Sequence, residues 1–298
     1  MSKYEVELTN LDKILFPKSK IIKSDIVEYY KKIAPQMLPF MANRALSLYR
    51  FPDGIDGQKF YQKNAPDYFP DWIKRVKVTL KTIEKFDLYV VCNNVETLIY
   101  LANYVCVPHI WLSKVDKLDF PDRLIFDLDP SDKHGFEQVR LLALELHDFL
   151  NKLGLKSFAM LTGSSGMHVI VPIKRTKNFD DTRLFAKNVS QLLVKQNPDK
   201  YTLEMNVAKR AGRVFIDTLR NGFGATAVAP YAVRDKEGAP VATPITWEEA
   251  GDAKLSSQRY NIGNIFDKLE NESVPWHGFE KSAISITEAI KKLAKIKL

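Results

Sequence analysis

Two cysteines in 298 residues, Cys92 and Cys106, exclude a disulfide scaffold, and their spacing is not that of a metal site. No apolar run reaches the roughly 18 residues needed to span a bilayer. The opening Met1–Glu7 has no apolar stretch of signal-peptide type, which predicts a chain that is neither secreted by that route nor held in a membrane. Internal repeats and low-complexity linkers are also missing. Acidic residues are in deficit: 36 Asp and Glu stand against 44 Lys and Arg, a formal net charge of +8. What remains, 45% apolar and 27% charged, is ordinary for a globular protein and excludes a disordered or fibrous chain. A reducing cytoplasm fits, close to the nucleoid if the partner is DNA.

A basic balance favours polyanionic partners through Coulomb attraction and counterion release, although a basic enzyme with no nucleic-acid role has the same composition. The distribution sharpens this. The first quarter carries Lys13, Lys18, Lys20, Lys23, Lys31, Lys32, Arg44, Arg50, Lys59 and Lys63, interleaved with Tyr49, Phe51, Phe60, Tyr61, Tyr68, Phe69 and Trp72. Cations hold phosphates and flat rings stack on unpaired bases, while some of these rings must form core.

Helical spacing of Ile26, Val27, Tyr30 and Ile33 predicts a helix capped by Ser24 and ended by Pro35. Ala45–Phe51 and Leu88–Val91 read as strands, Pro52-Asp53-Gly54 as a turn and Val95–Val105 as a buried helix. Leu124–Asp129 reads as a buried strand. Phe136–Leu153 is the clearest helix, with one apolar stripe and Gly154 as its stop. Lys156–Leu161 and Met167–Ile173 form a predicted hairpin, Phe179–Gln196 a second helix and Arg213–Asp217 a third strand; from Glu248 the chain reads as mostly helical. The order β, α, hairpin, α, β predicts an α/β (α+β) layered fold.

Asp127 and Asp129 are two apart on an apolar strand, so both carboxylates leave the same face. Adjacent carboxylates repel, and burying them unpaired is costly. A hard divalent ion, Mg²⁺ or Mn²⁺, between them removes the conflict. The alternative is two solvated acids at a strand end, which the flanking Leu124-Ile125-Phe126 and Leu128 argue against. Asp217 ends Val214-Phe215-Ile216-Asp217 in the same manner. Three such carboxylates could hold two ions, which activate an attacking oxygen and stabilise a leaving pyrophosphate. Between the acidic strands lies Gly163-Ser164-Ser165-Gly166-Met167-His168, where glycines let backbone N–H groups converge on an anion and an imidazole adds a donor.

Together these motifs resemble the archaeo-eukaryotic primase superfamily. The segments are Phe126-Asp127-Leu128-Asp129-Pro130, Gly163–His168, and Arg213–Asp217 with Arg220-Asn221. They are most similar to the polymerase domain of bacterial multifunctional DNA ligase D. Leu8–Lys13, Leu101-Ala102-Asn103 and Gly224–Tyr231 extend the likeness over nearly the whole chain. The resemblance implies a primase-like fold with an RRM-like catalytic sheet, flanking helices and an N-terminal α/β module, as a single polymerase domain over 1–298. Its parts would be an N-terminal module of about 1–115, a catalytic module of about 116–235 and a mostly helical tail of about 245–298.

It further implies a template-directed nucleotidyltransferase that fills gaps and extends ends in double-strand break repair by non-homologous end joining. Two Mn²⁺ or Mg²⁺ ions would be held by Asp127, Asp129 and Asp217, and ribonucleotides would be preferred. By the same resemblance Ser164, His168, Arg220, Arg234 and His109 meet the incoming NTP or dNTP. Asn10, Lys13 and Lys23 take the 5′-phosphate of a gapped or recessed end, and Phe60 and Tyr61 stack on template. Lys209, Arg210 and Arg213 place the primer terminus, and Arg50 and Lys63 add to the DNA-binding surface.

The chain departs from the pattern at Val107-Pro108-His109-Ile110-Trp111, which is one residue short and has Pro in place of an acid, and at Phe223, where the family often has a cation. No Lys-x-Asp-Gly ligase nucleophile is found, so ligation is expected from a separate ATP-dependent ligase, alongside a Ku-like end-binding protein. The rival readings are a haloacid-dehalogenase-type phosphatase, suggested by Asp127-Leu128-Asp129, a non-catalytic end-binding module, and a replicative or plasmid primase.

Overall fold

The computed structural model describes residues 4–79, 86–131, 135–271 and 275–296. The chain divides into two compact units. One comprises Met1–Asp116, Thr226–Ala242 and Tyr260–Phe266; the other comprises Lys117–Ala225, Thr243–Arg259 and Asp267–Leu298.

The second unit is built on a six-stranded sheet. Its order is Tyr201–Thr202, Val214–Asp217, Arg123–Asp129, Met167–Pro172, Phe158–Leu161, Thr243–Ile245. The central four strands occur along the chain as strand, helix, two hairpin strands, helix, strand, and lie in the order fourth, first, third, second with every pairing antiparallel. This is the split β-α-β arrangement of RRM-like sheets, as the resemblance implied.

Helices Phe136–Leu153 and Phe179–Gln196 pack on this sheet. The first buries Val139, Leu142, Ala143, Leu146, Leu150 and Leu153 along one stripe. It stops at Gly154, whose φ of 86° suits a residue without a Cβ. Phe149, placed in that stripe by its spacing, is half-exposed. The hairpin strand begins at Phe158 rather than Lys156. The tail contributes strand Thr243–Ile245 and helices Trp247–Gly251, Ile265–Asn271 and Thr287–Lys295; residues 272–274 and 297–298 of it lie outside the described part.

The first unit holds a second sheet in the order Thr226–Val228, Cys106–Trp111, Ala45–Arg50, Phe86–Val91, Arg75–Thr79, with Phe60–Gln62 also pairing with Ala45–Arg50. Two helix expectations are corrected here. The first helix runs Lys23–Met41, so Ser24 lies inside it and does not cap it. The carboxylate of Asp25 instead accepts the Ile22 backbone N–H at 2.9 Å. Pro35 and Pro39 sit within this helix. Each removes a backbone donor, but the buried face formed by Tyr29, Tyr30, Ile33 and Ala34 continues through Met37 and Met41, and burial outweighs the lost bonds. The second helix is Val95–Asn103, capped by Asn94. It ends before Val105 because Val105 takes a φ of 51° and the chain turns into strand Cys106–Trp111. Among the described residues no helix is long and apolar enough to cross a membrane.

Candidate active site on the acidic sheet face

Strand register assembles the acids. Asp217 lies directly across from Asp127, and His168 lies across from Asp127 on the other side, so the three form one row over three strands. Asp129 stands two residues along the same face, opposite Phe215. Phe126 and Leu128, on the alternate face, are fully buried.

Asp127 is buried and doubly paired: its Oδ1 is 3.3 Å from His168 Nε2 and its Oδ2 accepts from Arg220 Nε at 3.1 Å. The same guanidinium nitrogen lies 3.8 Å from Asp217 Oδ2. Asp217 Oδ1 accepts the Leu219 N–H at 2.7 Å. The Asp129 carboxylate makes no hydrogen bond or ion pair with any described residue. Burial raises its carboxyl to about 6, and neighbouring Asp127 adds to the rise. Asp217 is raised by burial against its Leu219 hydrogen bond, with Asp127 adding again. Asp127 moves the other way: burial opposes its charge, but His168 and Arg220 outweigh burial and hold it well below the usual carboxylate range.

The glycine-rich turn closes one end of this face. A Cβ on Gly166 would lie 2.1 Å from the Leu128 carbonyl oxygen and 3.1 Å from Asp129 Oδ1, so only glycine lets the hairpin approach the acidic strand. Gly163 has a φ of 66°. Thr162 Oγ1 gathers the turn, accepting from Ser164 and Gly166 N–H at 3.3 and 3.2 Å. The Ser164 carbonyl is held by Ser257 Oγ at 2.9 Å and Gln258 Nε2 at 2.8 Å. His168 Nδ1 is buried with no hydrogen-bond partner among the described residues.

The segment before the last acidic strand has a different character from the one its charge suggested. Arg210 is buried. Its guanidinium donates to the Glu204 and Met205 carbonyls, each at 3.1 Å, and lies 4.2 Å from the centroid of the Phe215 ring. Arg213 donates to the Arg210 carbonyl at 2.8 Å and the Lys209 carbonyl at 3.2 Å. Both bind the loop to itself, while Lys209 is exposed. Phe223 packs edge-on against Phe179 at 5.8 Å.

The first unit holds the residues assigned to the 5′-phosphate and the template. Lys13 N–H and carbonyl tie it to Asn10 and Lys23, and the Ser24 N–H bonds the Leu11 carbonyl, so Asn10, Lys13 and Lys23 cluster at the start of helix Lys23–Met41. Asn10 is exposed with a φ of 49°. Lys13 pairs with Asp53 at 2.7 Å. Lys23 is buried and donates to the Thr9 carbonyl at 2.7 Å; burial, with Lys13 nearby, lowers its pKa. Arg50 is half-buried, donating to the Tyr104 carbonyl and lying 3.4 Å from that ring's centroid. Lys63 is exposed. His109 is buried in strand Cys106–Trp111, edge-on to Tyr61 at 5.5 Å and Tyr49 at 6.1 Å. Beside the half-buried Arg234, Asp235 accepts from Lys59 at 2.7 Å and Tyr49 at 3.1 Å.

Residues 22–276 match the family model of the LigD primase-polymerase domain. The chain belongs to that family. It is 28% identical over 279 residues to the bifunctional non-homologous end joining protein LigD of Bacillus subtilis, covering 93% of this chain and 44% of that protein. To the multifunctional non-homologous end joining protein LigD of Mycolicibacterium smegmatis it is 31% identical over 275 residues, 91% of this chain and 35% of that protein. The chain thus spans less than half the length of these relatives. The polymerase domain of Mycobacterium tuberculosis ligase D, solved in complex with DNA, superposes with a TM-score of 0.84 at 28% identity, covering 94% of this chain and 99% of that one. These likenesses favour the polymerase reading over the phosphatase, the non-catalytic module and the replicative primase.

The family is metal-dependent, and the donor set fits a hard divalent ion: oxygen donors only, on one face, two of them with carboxyls raised by burial and by neighbouring Asp127, a cost a bound cation would offset. No three His, Cys, Asp or Glu side chains are already gathered into a metal cluster among the described residues, and Arg220 supplies the positive charge beside Asp127 and Asp217. Sequence reasoning missed one positioning residue. Asn221 is buried; its Oδ1 accepts the Ile125 N–H at 2.8 Å and its Nδ2 donates to the Ile125 carbonyl at 2.7 Å. Along strand Arg123–Asp129, strand Val214–Asp217 reaches only residues 127–129, so Asn221 replaces the backbone partner that Ile125 lacks on that side. The signal was present in Arg220-Asn221, where only the arginine was given a role.

Proposed function

We propose that this chain is a template-directed nucleotidyltransferase that fills gaps and extends DNA ends during non-homologous end joining. The observation that carries the reading is the register that sets Asp217 opposite Asp127, with Asp129 on the same face. Asp127, Asp129 and Asp217 would hold two Mg²⁺ or Mn²⁺ ions, which when bound lower the pKa of an attacking hydroxyl and stabilise charge on departing pyrophosphate. The 3′-hydroxyl oxygen of the primer attacks the α-phosphorus of an NTP or dNTP, and the bond to pyrophosphate breaks.

The protein's share is to bind and orient. The N–H groups of the Gly163–Gly166 turn, the Ser164 hydroxyl and His168 would take triphosphate oxygens, the unpartnered His168 Nδ1 supporting such a role. Arg220, Arg234 and His109 would add to nucleotide binding. Lys13 and Asn10 would bind a 5′-phosphate, with Lys23 holding their loop from beneath. Phe60 and Tyr61 would stack on template bases, with Arg50 and Lys63 adjoining. Lys209 would meet the primer backbone, on a loop fixed by Arg210 and Arg213. The ribonucleotide preference, a Ku-like partner, a separate ligase and a cytoplasmic, nucleoid-associated location belong to the same reading.

The test is primer extension on gapped DNA, comparing NTP with dNTP, Mg²⁺ with Mn²⁺, and phosphorylated with unphosphorylated downstream strands. Template-dependent addition stimulated by the 5′-phosphate is expected. Phosphate release without primer or template would overturn it in favour of the phosphatase, and indifference to the 5′-phosphate would overturn the repair role.

A further inference from the structure

We infer that Tyr68 is a base-stacking residue that extends the template surface beyond Phe60, taking an unpaired nucleobase of a single-stranded overhang. The inference rests on the polymerase reading for the identity of the strand, and on the geometry of the first unit for the site. Tyr68 is 69% exposed, more than Tyr61 at 56% or Phe60 at 37%. An exposed ring is common when solitary and swinging freely; this one is neither. Its hydroxyl is hydrogen-bonded to the Tyr104 hydroxyl, and its ring stands edge-on to Phe69 at 5.7 Å, which is itself buried.

The anchor leads back to the assigned surface. The Arg50 guanidinium lies 3.4 Å from the centroid of the Tyr104 ring and 5.4 Å from that of Phe60, and Tyr104 also donates to Gln62 Oε1 at 3.3 Å. Phe60, Arg50, Tyr104 and Tyr68 therefore form one connected strip with an exposed ring at each end, while Tyr61 leaves the other face of its strand, against Tyr49 and His109. Electrostatics select a base rather than a phosphate at the Tyr68 end. Arg50 is spent on the Tyr104 carbonyl and Gln62, the residue before Tyr68 is the exposed Asp67, and the nearby Arg75 is paired with Asp71 at 3.8 Å. A flat, neutral π-face held in place, with an acid rather than a free cation beside it, suits a nucleobase better than a phosphate.

The experiment measures, by fluorescence anisotropy, the affinity of the full chain for duplex DNA with a single-stranded overhang and for the same duplex without one. The wild-type protein is expected to prefer the overhang. Tyr68→Ala should lower that preference about fivefold or more, the range of one stacked base. Tyr68→Phe, which keeps the ring, should restore most of it, and melting temperatures of both variants establish that they fold. Loss of affinity equal on both DNAs, an unchanged preference in Tyr68→Ala, or a wild-type protein indifferent to the overhang would each overturn the inference. Failure of nucleotide addition by the wild-type protein would instead overturn the polymerase reading, so the two are separable.

Discussion

The acidic face of the second unit and the basic cluster at the start of the first handle charge in opposite ways. The acids are like charges held together by strand register, with the Asp129 carboxylate unpaired and Arg220 and His168 opposing the repulsion at Asp127. The cations of the N-terminal cluster are already matched, Lys13 to Asp53 and Lys23 to the Thr9 carbonyl. One region is thus electrostatically unsatisfied by the protein and selects a cation; the other is balanced and must exchange a partner to bind a phosphate. The difference teaches that chemistry concentrates where the fold forces like charges together, whereas recognition is built from groups whose internal partners are replaceable.

The comparison breaks first at the acids. Asp127→Ala or Asp129→Ala is expected to lower nucleotide addition by at least about a hundredfold, since the loss of metal stabilisation is several kcal/mol, while DNA binding survives. Primer extension and anisotropy on the same preparations check both halves. Next comes the frame. Asn221→Leu strips Ile125 of both its side-chain partners at a buried position and should cost about 2–4 kcal/mol, read as a lowered denaturant midpoint. Gly166→Ala forces a methyl against the Leu128 carbonyl and should cost about 1–3 kcal/mol, with activity falling alongside.

Lys13→Ala sharpens the other side: affinity for 5′-phosphorylated ends should fall about tenfold, as befits a charge-assisted hydrogen bond partly offset by the Asp53 pair it replaces. Equal losses on unphosphorylated ends would remove Lys13 from phosphate recognition. The smallest effect is expected away from both regions. His147 stacks on Trp247 at 4.0 Å and bonds Ser157 at 2.8 Å. Burial lowers its pKa, against a small opposing effect of Asp148. A depressed histidine favours the neutral form in the fold, so this contribution is present above about pH 6.5 and fades as pH falls below it. His147→Gln should flatten that part of a stability–pH curve.

What could be read from the residues follows from how local each signal is. Asp127 and Asp129 were legible because a strand's two-residue period acts within Leu124–Asp129 itself. Asp217 repeats the pattern of an apolar strand ending in an acid, and the resemblance supplied its pairing. The helix through Pro35 and Pro39 was not legible, because burial of Met37 and Met41 depends on distant parts of the chain. Strands Phe60–Gln62, Arg75–Thr79 and Thr226–Val228 are short and exist through their partners. The resemblance and the run of positive charge placed Arg50, Arg210 and Arg213 on DNA. It could not show that their guanidinium groups are largely engaged by backbone carbonyls.

The most direct measurement is single-nucleotide incorporation on gapped DNA, titrated with Mn²⁺, for the wild-type protein and Asp217→Ala. Incorporation by the wild-type protein and none by the variant at any Mn²⁺ concentration is the predicted result. Incorporation by Asp217→Ala at the wild-type rate would contradict the shared role of the three acids.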